Sequence, residues 1–174
     1  MDGRLYVLSG DGEDWGPYPI ELCFPGTEER DFADLMCGSE GDRSITSAMV
    51  ADVDNDGDFE IGIGTNEGVL GGRYSASYLF DAETGAHAPG WPRLSSGLVA
   101  EAAILPVVGQ GHPASMAAAD LDGDGDLEIA DPVMLGQTPI LAHDGTDHLS
   151  LGYTEMTWSE DHNVDVPSVV QMIN

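Results

Sequence analysis

The chain carries the same acidic nonapeptide twice, and this duplication constrains its fold more than any other feature. Residues 52–60 read DVDNDGDFE, and residues 120–128, which begin 68 residues further along, read DLDGDGDLE. Each copy follows one small apolar stretch (SAMVA, SMAAA) and precedes another (IGIG, IA). A motif that recurs at a fixed spacing between apolar segments indicates a repeat architecture, in which each unit packs on its neighbours.

A second pattern recurs out of phase with the nonapeptide. Three segments, at residues 5–12, 77–85 and 139–147, place an apolar run of four to five residues before a polar turn (LYVLSGDG, SYLFDAETG, PILAHDGTD). Runs of this length predict strands, because they are too short for helices. An aromatic residue follows six residues after the end of each segment: Tyr18, Trp91 and Tyr153. Only residues 28–36 and 97–105 could form short helices.

The spacing between the second and third segments predicts which residues occupy equivalent positions in the two repeats. Ile140 follows Tyr78 by 62 residues, as Tyr153 follows Trp91. Several short strands in each repeat of 60–70 residues are typical of a β-propeller blade. The sequence therefore predicts an all-β protein made of such blades; the alternative is a β-sandwich with two similar loops.

The phase of the repeats divides the chain into three parts. Residues 1–43 are predicted to hold the late strands of a preceding blade and a loop closed by Cys23 and Cys37, either as a disulfide or as two buried thiols. Residues 44–111 form the first complete repeat, and residues 112–174 form the second repeat and the start of a further unit. A propeller needs ~4–8 blades to close, whereas this chain holds about two and a half. We expect a fragment of a longer protein or, alternatively, copies that assemble or repeats that stack openly.

The two nonapeptides are predicted to bind metal ions. Alternating acidic side chains can point oxygens inward where the backbone curls, and Gly57 and Gly125 permit the sharp turn. The seventh residue offers its main-chain carbonyl, and the ninth closes the shell. All donors are hard oxygens, which favours two Ca²⁺ sites over zinc, copper or Mg²⁺. The predicted ligands are Asp52, Asp54, Asp56, Asp58 and Glu60 in the first loop, and Asp120, Asp122, Asp124, Asp126 and Glu128 in the second.

Two other interpretations of the loops are weaker. An acidic turn that binds nothing would leave closely spaced carboxylates repelling one another by roughly 1 kcal/mol per close pair. An EF-hand also begins D-x-D-x-D-G, but it requires Glu at loop position twelve and flanking helices. Position twelve is Ile63 in one loop and Asp131 in the other, and the flanks alternate like strands.

The segments ADVDNDGDFEIGIG and ADLDGDGDLEIAD resemble the FG-GAP/VCBS repeat, the calcium-loop unit of integrin-α-like β-propellers. YLFDAETG and PGWPRL are similar to the outer part of blades in bacterial secreted members. The resemblance implies that positions one, three, five and nine of each loop ligate Ca²⁺ through side chains and position seven through its carbonyl. It also implies an extracellular setting and a role in adhesion or ligand binding.

The net charge of the chain limits the classes of partner that it can bind. Thirty-two Asp and Glu residues face five Arg and no Lys, which gives a formal net charge of −27. Such a surface repels nucleic acid and anionic lipid and attracts cations. No stretch reaches the ~20 apolar residues of a spanning helix, so membrane insertion is not predicted.

No catalytic set is evident, so the chain is not predicted to be an enzyme. His143 and His148 flank a turn (HDGTDH) and are interpreted as surface histidines, with metal binding as the alternative. We expect a secreted or cell-surface calcium-binding module with an unidentified protein or glycan ligand, since such sites need the high free Ca²⁺ outside cells. The alternatives are a fragment of a secreted polysaccharide lyase and a structural subunit that self-associates through open blade edges.

Overall fold

A computed structural model describes residues 3–24, 46–65, 75–95, 112, 114–133 and 138–149. This part of the chain is all-β and contains no helix, as the short apolar runs predict. Cys23 is disulfide-bonded. Its predicted partner Cys37, the two candidate helices, Tyr153 and the C-terminal unit lie outside the described residues. The strands are β1 (Arg4–Leu5), β2 (Ile20–Glu21), β3 (Met49–Ala51), β4 (Glu60–Gly64), β5 (Ser75–Asp81), β6 (Arg93–Ser95), β7 (Ala117–Ala119), β8 (Glu128–Ala130), β9 (Ile140–Leu141) and β10 (Asp147–Leu149).

The strands form three antiparallel sheets, each from one continuous stretch of the chain. Strands β1 and β2 form a pair, β3-β4-β5-β6 form one four-stranded meander, and β7-β8-β9-β10 form another. Neighbours in sequence are therefore neighbours in the sheet, and strand β3 lies against β7 of the next sheet. No helix of the described residues is long and apolar enough to span a membrane.

Side chains alternate across a strand, and the central strands β4 and β5 of the β3–β6 sheet pack against a different hydrophobic cluster on each face. On one face, Tyr78 and Phe80 of β5 pack with Leu5 and Leu22 of the N-terminal segment. On the other face, the intervening Leu79 belongs to a second cluster with residues of the last sheet. The members of that second cluster are Met49, Val53, Leu79, Ala88, Trp91, Met116, Ile129 and Leu141.

Pairing registers align the two four-stranded sheets with each other. Gly62 pairs with Leu79, and the residue 68 positions after Gly62, Ala130, pairs with Ile140. Leu79, not Tyr78, is therefore the counterpart of Ile140, which corrects the alignment read from the sequence by one residue. The turn after β9 is one residue tighter, since Gly145 N–H donates to Ala142 O whereas Gly85 N–H donates to Asp81 O.

The first two of the recurring aromatic residues occupy matching places in the fold. Tyr18 and Trp91 are both buried, and each precedes a cis proline. The indole Nε1 of Trp91 donates a 2.9 Å hydrogen bond to the carbonyl of His143, in the β9–β10 turn. Burial and then the negative charge of Asp81, at the end of β5 in the following sheet, raise the pKa of Tyr18. The Trp91 side chain thus reaches the turn of the next sheet along the chain.

Candidate metal centres

The first acidic loop connects the neighbouring strands β3 and β4 and folds around its first residue. The Asp52 carboxylate accepts hydrogen bonds from the backbone N–H groups of Asp56 (3.1 Å) and Gly57 (3.2 Å). Asn55 and Gly57 have positive φ angles of 55° and 101°, the left-handed conformation that Gly and Asn tolerate best. The Asp56 carboxylate accepts a hydrogen bond from Asp58 N–H at 2.9 Å. These bonds produce the curled backbone that the sequence predicts.

The second acidic loop connects β7 and β8 in the same way. Asp120 accepts a hydrogen bond from Gly123 N–H at 2.6 Å. Asp122 accepts one from Asp124 N–H at 3.1 Å, and Asp124 accepts one from Asp126 N–H at 3.0 Å. The last of these matches the Asp56 to Asp58 bond of the first loop, so the two loops close in a similar manner.

A buried glutamate closes each loop. Glu60 and Glu128 are 6% and 4% exposed. In each of them Oε2 accepts a hydrogen bond from the residue that follows the first Asp, from Val53 at 2.9 Å and from Leu121 at 2.7 Å. The glutamate therefore ties the two ends of its loop together with one oxygen, a role that the sequence did not predict.

Electrostatics make the first loop favourable for a cation. Burial and then the negative charges of Asp54, Asp56 and Asp52 raise the pKa of Glu60, and these effects outweigh the opposing hydrogen bond from Val53. A divalent cation among these carboxylates would reverse the sign of the charge interactions.

Seven of the ten predicted ligands come together in groups that could hold a metal ion. Within each group, one ligand atom per residue lies within 4.8 Å of the others. The groups are Asp52, Asp54 and Glu60; Asp120, Asp122 and Asp124; and Asp122, Glu128 and His148. The side chains of Asp56, Asp58 and Asp126 are not among them. The predicted ligands at Asp58 and Asp126 are main-chain carbonyls, which these side-chain groups do not include. The Asp56 carboxylate accepts a hydrogen bond from the backbone of its own loop.

His148 is the residue of these groups that the sequence analysis did not include among the ligands. The signal for it in the sequence is the HDGTDH turn, whose histidines are predicted to be surface residues with metal binding as the alternative. The all-oxygen donor set of the first loop suits a hard cation such as Ca²⁺ or Mg²⁺. His148 adds an imidazole nitrogen to the second loop.

The two loops lie side by side. Leu127 N–H donates a 2.7 Å hydrogen bond to the Val53 carbonyl, which joins the backbone of the second loop to that of the first. Gly125 lies so close to Asn55 that a Cβ at this glycine would be 3.3 Å from the Asn55 amide nitrogen. The carboxylates of both loops are thus concentrated in one region of the molecular surface.

A second polar cluster lies buried between the two four-stranded sheets. Ser77 on β5, His112 and Asp131 have no exposed surface. His112 Nε2 is 2.8 Å from Asp131 Oδ1 and 3.0 Å from Ser77 Oγ, and the Ser77 hydroxyl donates to Asp131 Oδ2 at 2.6 Å. His112 Nδ1 is 3.0 Å from the Thr65 carbonyl oxygen, which can only accept, so Nδ1 carries a hydrogen.

The protonation of His112 follows from these contacts. Nε2 faces a carboxylate oxygen and a hydroxyl that has already donated its hydrogen, so Nε2 also carries one and the ring is an imidazolium. Burial opposes this charge, but the hydrogen bond and charge of Asp131, together with the Thr65 carbonyl, raise the pKa of His112. In a catalytic triad the Ser and Asp occupy opposite ring nitrogens. Here both contact Nε2, and none of the three side chains has exposed surface, so the arrangement differs from that of a catalytic triad.

Comparison of the chain with protein-family models, curated proteins and solved structures finds no match.

Proposed function

We propose that the two four-stranded sheets are neighbouring blades of a β-propeller of the FG-GAP/VCBS type, and that their acidic loops bind Ca²⁺. One observation carries the proposal: both loops join the first and second strands of meanders that pack against each other, and both gather carboxylates. Ca²⁺ takes six to eight oxygen ligands in flexible geometry. Asp52, Asp54 and Glu60 would hold it in the first loop, and Asp120, Asp122 and Asp124 in the second.

The contact between the two sheets supports a stack of repeated units. Val53 is 2% exposed and receives the backbone hydrogen bond from Leu127 of the following loop. Its counterpart 68 residues later, Leu121, is 58% exposed. The surface that the middle sheet uses to contact the last sheet therefore recurs on the last sheet as an accessible face, which a further blade or a second copy would cover.

In this proposal Ca²⁺ makes the blades rigid, and the protein acts outside the cell as a module for adhesion or for binding a protein or glycan. Extracellular modules use Ca²⁺ sites of modest affinity, which fill only at the high free Ca²⁺ found there. Two bound ions would also offset part of the formal charge of −27, which otherwise destabilises the compact state through self-repulsion.

Calorimetric titration with Ca²⁺ tests the proposal. We expect two ions per chain, one ion in Asp54→Asn or Asp122→Asn, and none in the double variant. The control Asp14→Asn, which removes an exposed carboxylate outside both loops, should keep two. Each site should add about 2.7 kcal/mol to the free energy of unfolding at 100 times its dissociation constant. An unchanged melting temperature in EGTA and in millimolar Ca²⁺ would contradict the proposal.

A further inference from the structure

We propose that copies of this chain associate head to tail through two unlike faces. The leading face is formed by Tyr6 and Leu8 of the N-terminal segment, and the trailing face by Leu121 and Ile140 of the last sheet. This inference goes beyond the proposed function, because it concerns contacts between chains. It rests on that proposal only in treating the sheets as repeated units, and it does not require Ca²⁺ binding.

Leu8 occupies the same place in the first sheet as Phe80 in the second and Leu141 in the third. Each of these residues pairs with a residue across the turn that follows it; the partners are Asp14, His87 and Asp147. The N–H of the next residue then donates across the same turn, from Ser9 to Glu13, from Asp81 to Ala86 and from Ala142 to Thr146. The backbone pairing thus makes the three residues equivalent.

The face that contains these residues is covered in the second and third sheets and open in the first. Phe80 is 1% and Leu141 is 2% exposed, whereas Leu8 is 58% exposed. Tyr6 is 46% exposed, and Tyr78, which precedes Phe80 as Tyr6 precedes Leu8, is fully buried. Two neighbouring large apolar side chains are therefore accessible at a position that the other two sheets bury.

In both later sheets the cover is supplied by the preceding sheet. Phe80 belongs to a core cluster with Val7 packed against it, and Leu141 belongs to a cluster with Leu79. Val7 and Leu79 are equivalent, since their carbonyls accept the corresponding N–H groups, those of Trp15 and Ala88. Each sheet thus presents one face to the sheet before it and the opposite face to the sheet after it. Ile140 is the residue of the third sheet that corresponds to Val7 and Leu79.

The trailing face of the last sheet is less covered than its counterpart on the second sheet. Ile140 is half-buried, whereas Leu79 is fully buried. Leu121 is 58% exposed, whereas Val53 is 2% exposed. The last sheet therefore carries, in accessible form, the same face with which the second sheet covers it.

A second copy is the partner that fits both faces, because the two kinds of face already pack on each other within one chain, once in each core cluster. A contact between unlike faces is heterologous, so every copy can use both of its faces. Charge sets the conditions for association. Two copies with a formal net charge of −27 each repel one another, and salt screens this repulsion. Association should therefore strengthen as ionic strength rises.

Sedimentation velocity of the full chain over a range of protein concentrations, at low and at high salt, tests the association. We expect the sedimentation coefficient to rise with concentration, and more steeply at high salt. Leu8→Asp should weaken association at least about tenfold, because the contact would desolvate an unpaired carboxylate. Val50→Asp is the matched control: Val50 is 61% exposed, but it pairs with Ile61 and so lies on the side of the second sheet that faces its own N-terminal segment. It should leave association unchanged.

Cross-linking tests the head-to-tail orientation. A mixture of the single variants Leu8→Cys and Ile140→Cys should give dimers with a short bismaleimide, and neither variant alone should do so. A monomer at every concentration and salt would overturn the inference, as would equal cross-linking of one variant alone or an equal loss of association in Val50→Asp. Circular dichroism would exclude unfolding as the cause of a loss. Failure of the proposed calcium function would appear separately, as absent Ca²⁺ binding in calorimetry, whatever the state of association.

Discussion

Raising the pH from about 6 to about 9 should destabilise the protein through His112, because this residue is charged in the folded state. The imidazolium and the Asp131 carboxylate are fully buried between two sheets, with Nε2 2.8 Å from Oδ1. Asp131 and the Thr65 carbonyl raise the pKa of His112 despite its burial. In the unfolded chain the pKa returns to about 6.5. The folded state therefore binds one proton more than the unfolded state between these two pKa values.

The sign and size of the effect follow from proton linkage. When the folded state binds the extra proton, the free energy of unfolding falls as pH rises, by up to about 1.4 kcal/mol per pH unit. The stabilisation is complete below about pH 6.5 and is lost as pH rises through the folded pKa. Removing one partner of a buried pair leaves the other uncompensated, so Asp131→Asn should cost about 3–5 kcal/mol at pH 6.

Urea denaturation at fixed Ca²⁺ and ionic strength, repeated at several pH values, measures this dependence. The matched variant His112→Gln retains polar atoms but cannot titrate, and its curve should be flatter over the same window. If the unmodified chain and His112→Gln gave parallel curves above about pH 6.5, the buried imidazolium inferred from the contacts would be wrong.

Two further predictions concern the packing of β4 and the face opposite it. Gly64→Ala should destabilise the protein by about 1–3 kcal/mol, because the new Cβ would clash with the buried ring of His112. Gly62→Ala should cost less, since its closest neighbours are the flexible ends of methionine side chains. Thermal melts of both variants would compare their stabilities. Partial burial of its ring, which lies 4.9 Å from that of Phe80, lowers the pKa of His87 although the residue as a whole is exposed, so the protein should lose some stability as pH falls below about 6.5. A His87→Phe variant should be less sensitive to acid in this range, and equal acid sensitivity of the two proteins would contradict the assignment.

The local features of this fold could be predicted from the sequence because short-range spacing determines them. The alternation of acids with a glycine at position six sets the curl of each loop. The apolar runs next to the loops, which have the length of strands, form strands β4 and β8. The all-β class and the carboxylate groups that include Asp52 and Asp120 follow from these patterns.

The remaining features depend on contacts between segments that are distant in sequence. Ser77 meets a histidine 35 residues away and an aspartate 54 residues away, a cluster that no local pattern indicates. His148 reaches the second loop only because a bulge shifts the register of β10 by one residue. Val53 and Leu121 are equivalent in sequence, but only Val53 is covered by a neighbouring loop. The sequence by itself thus determined the loops and strands, through spacing that acts over a few residues. The tertiary structure decided which side chains meet between sheets, because that depends on register and packing over the whole chain.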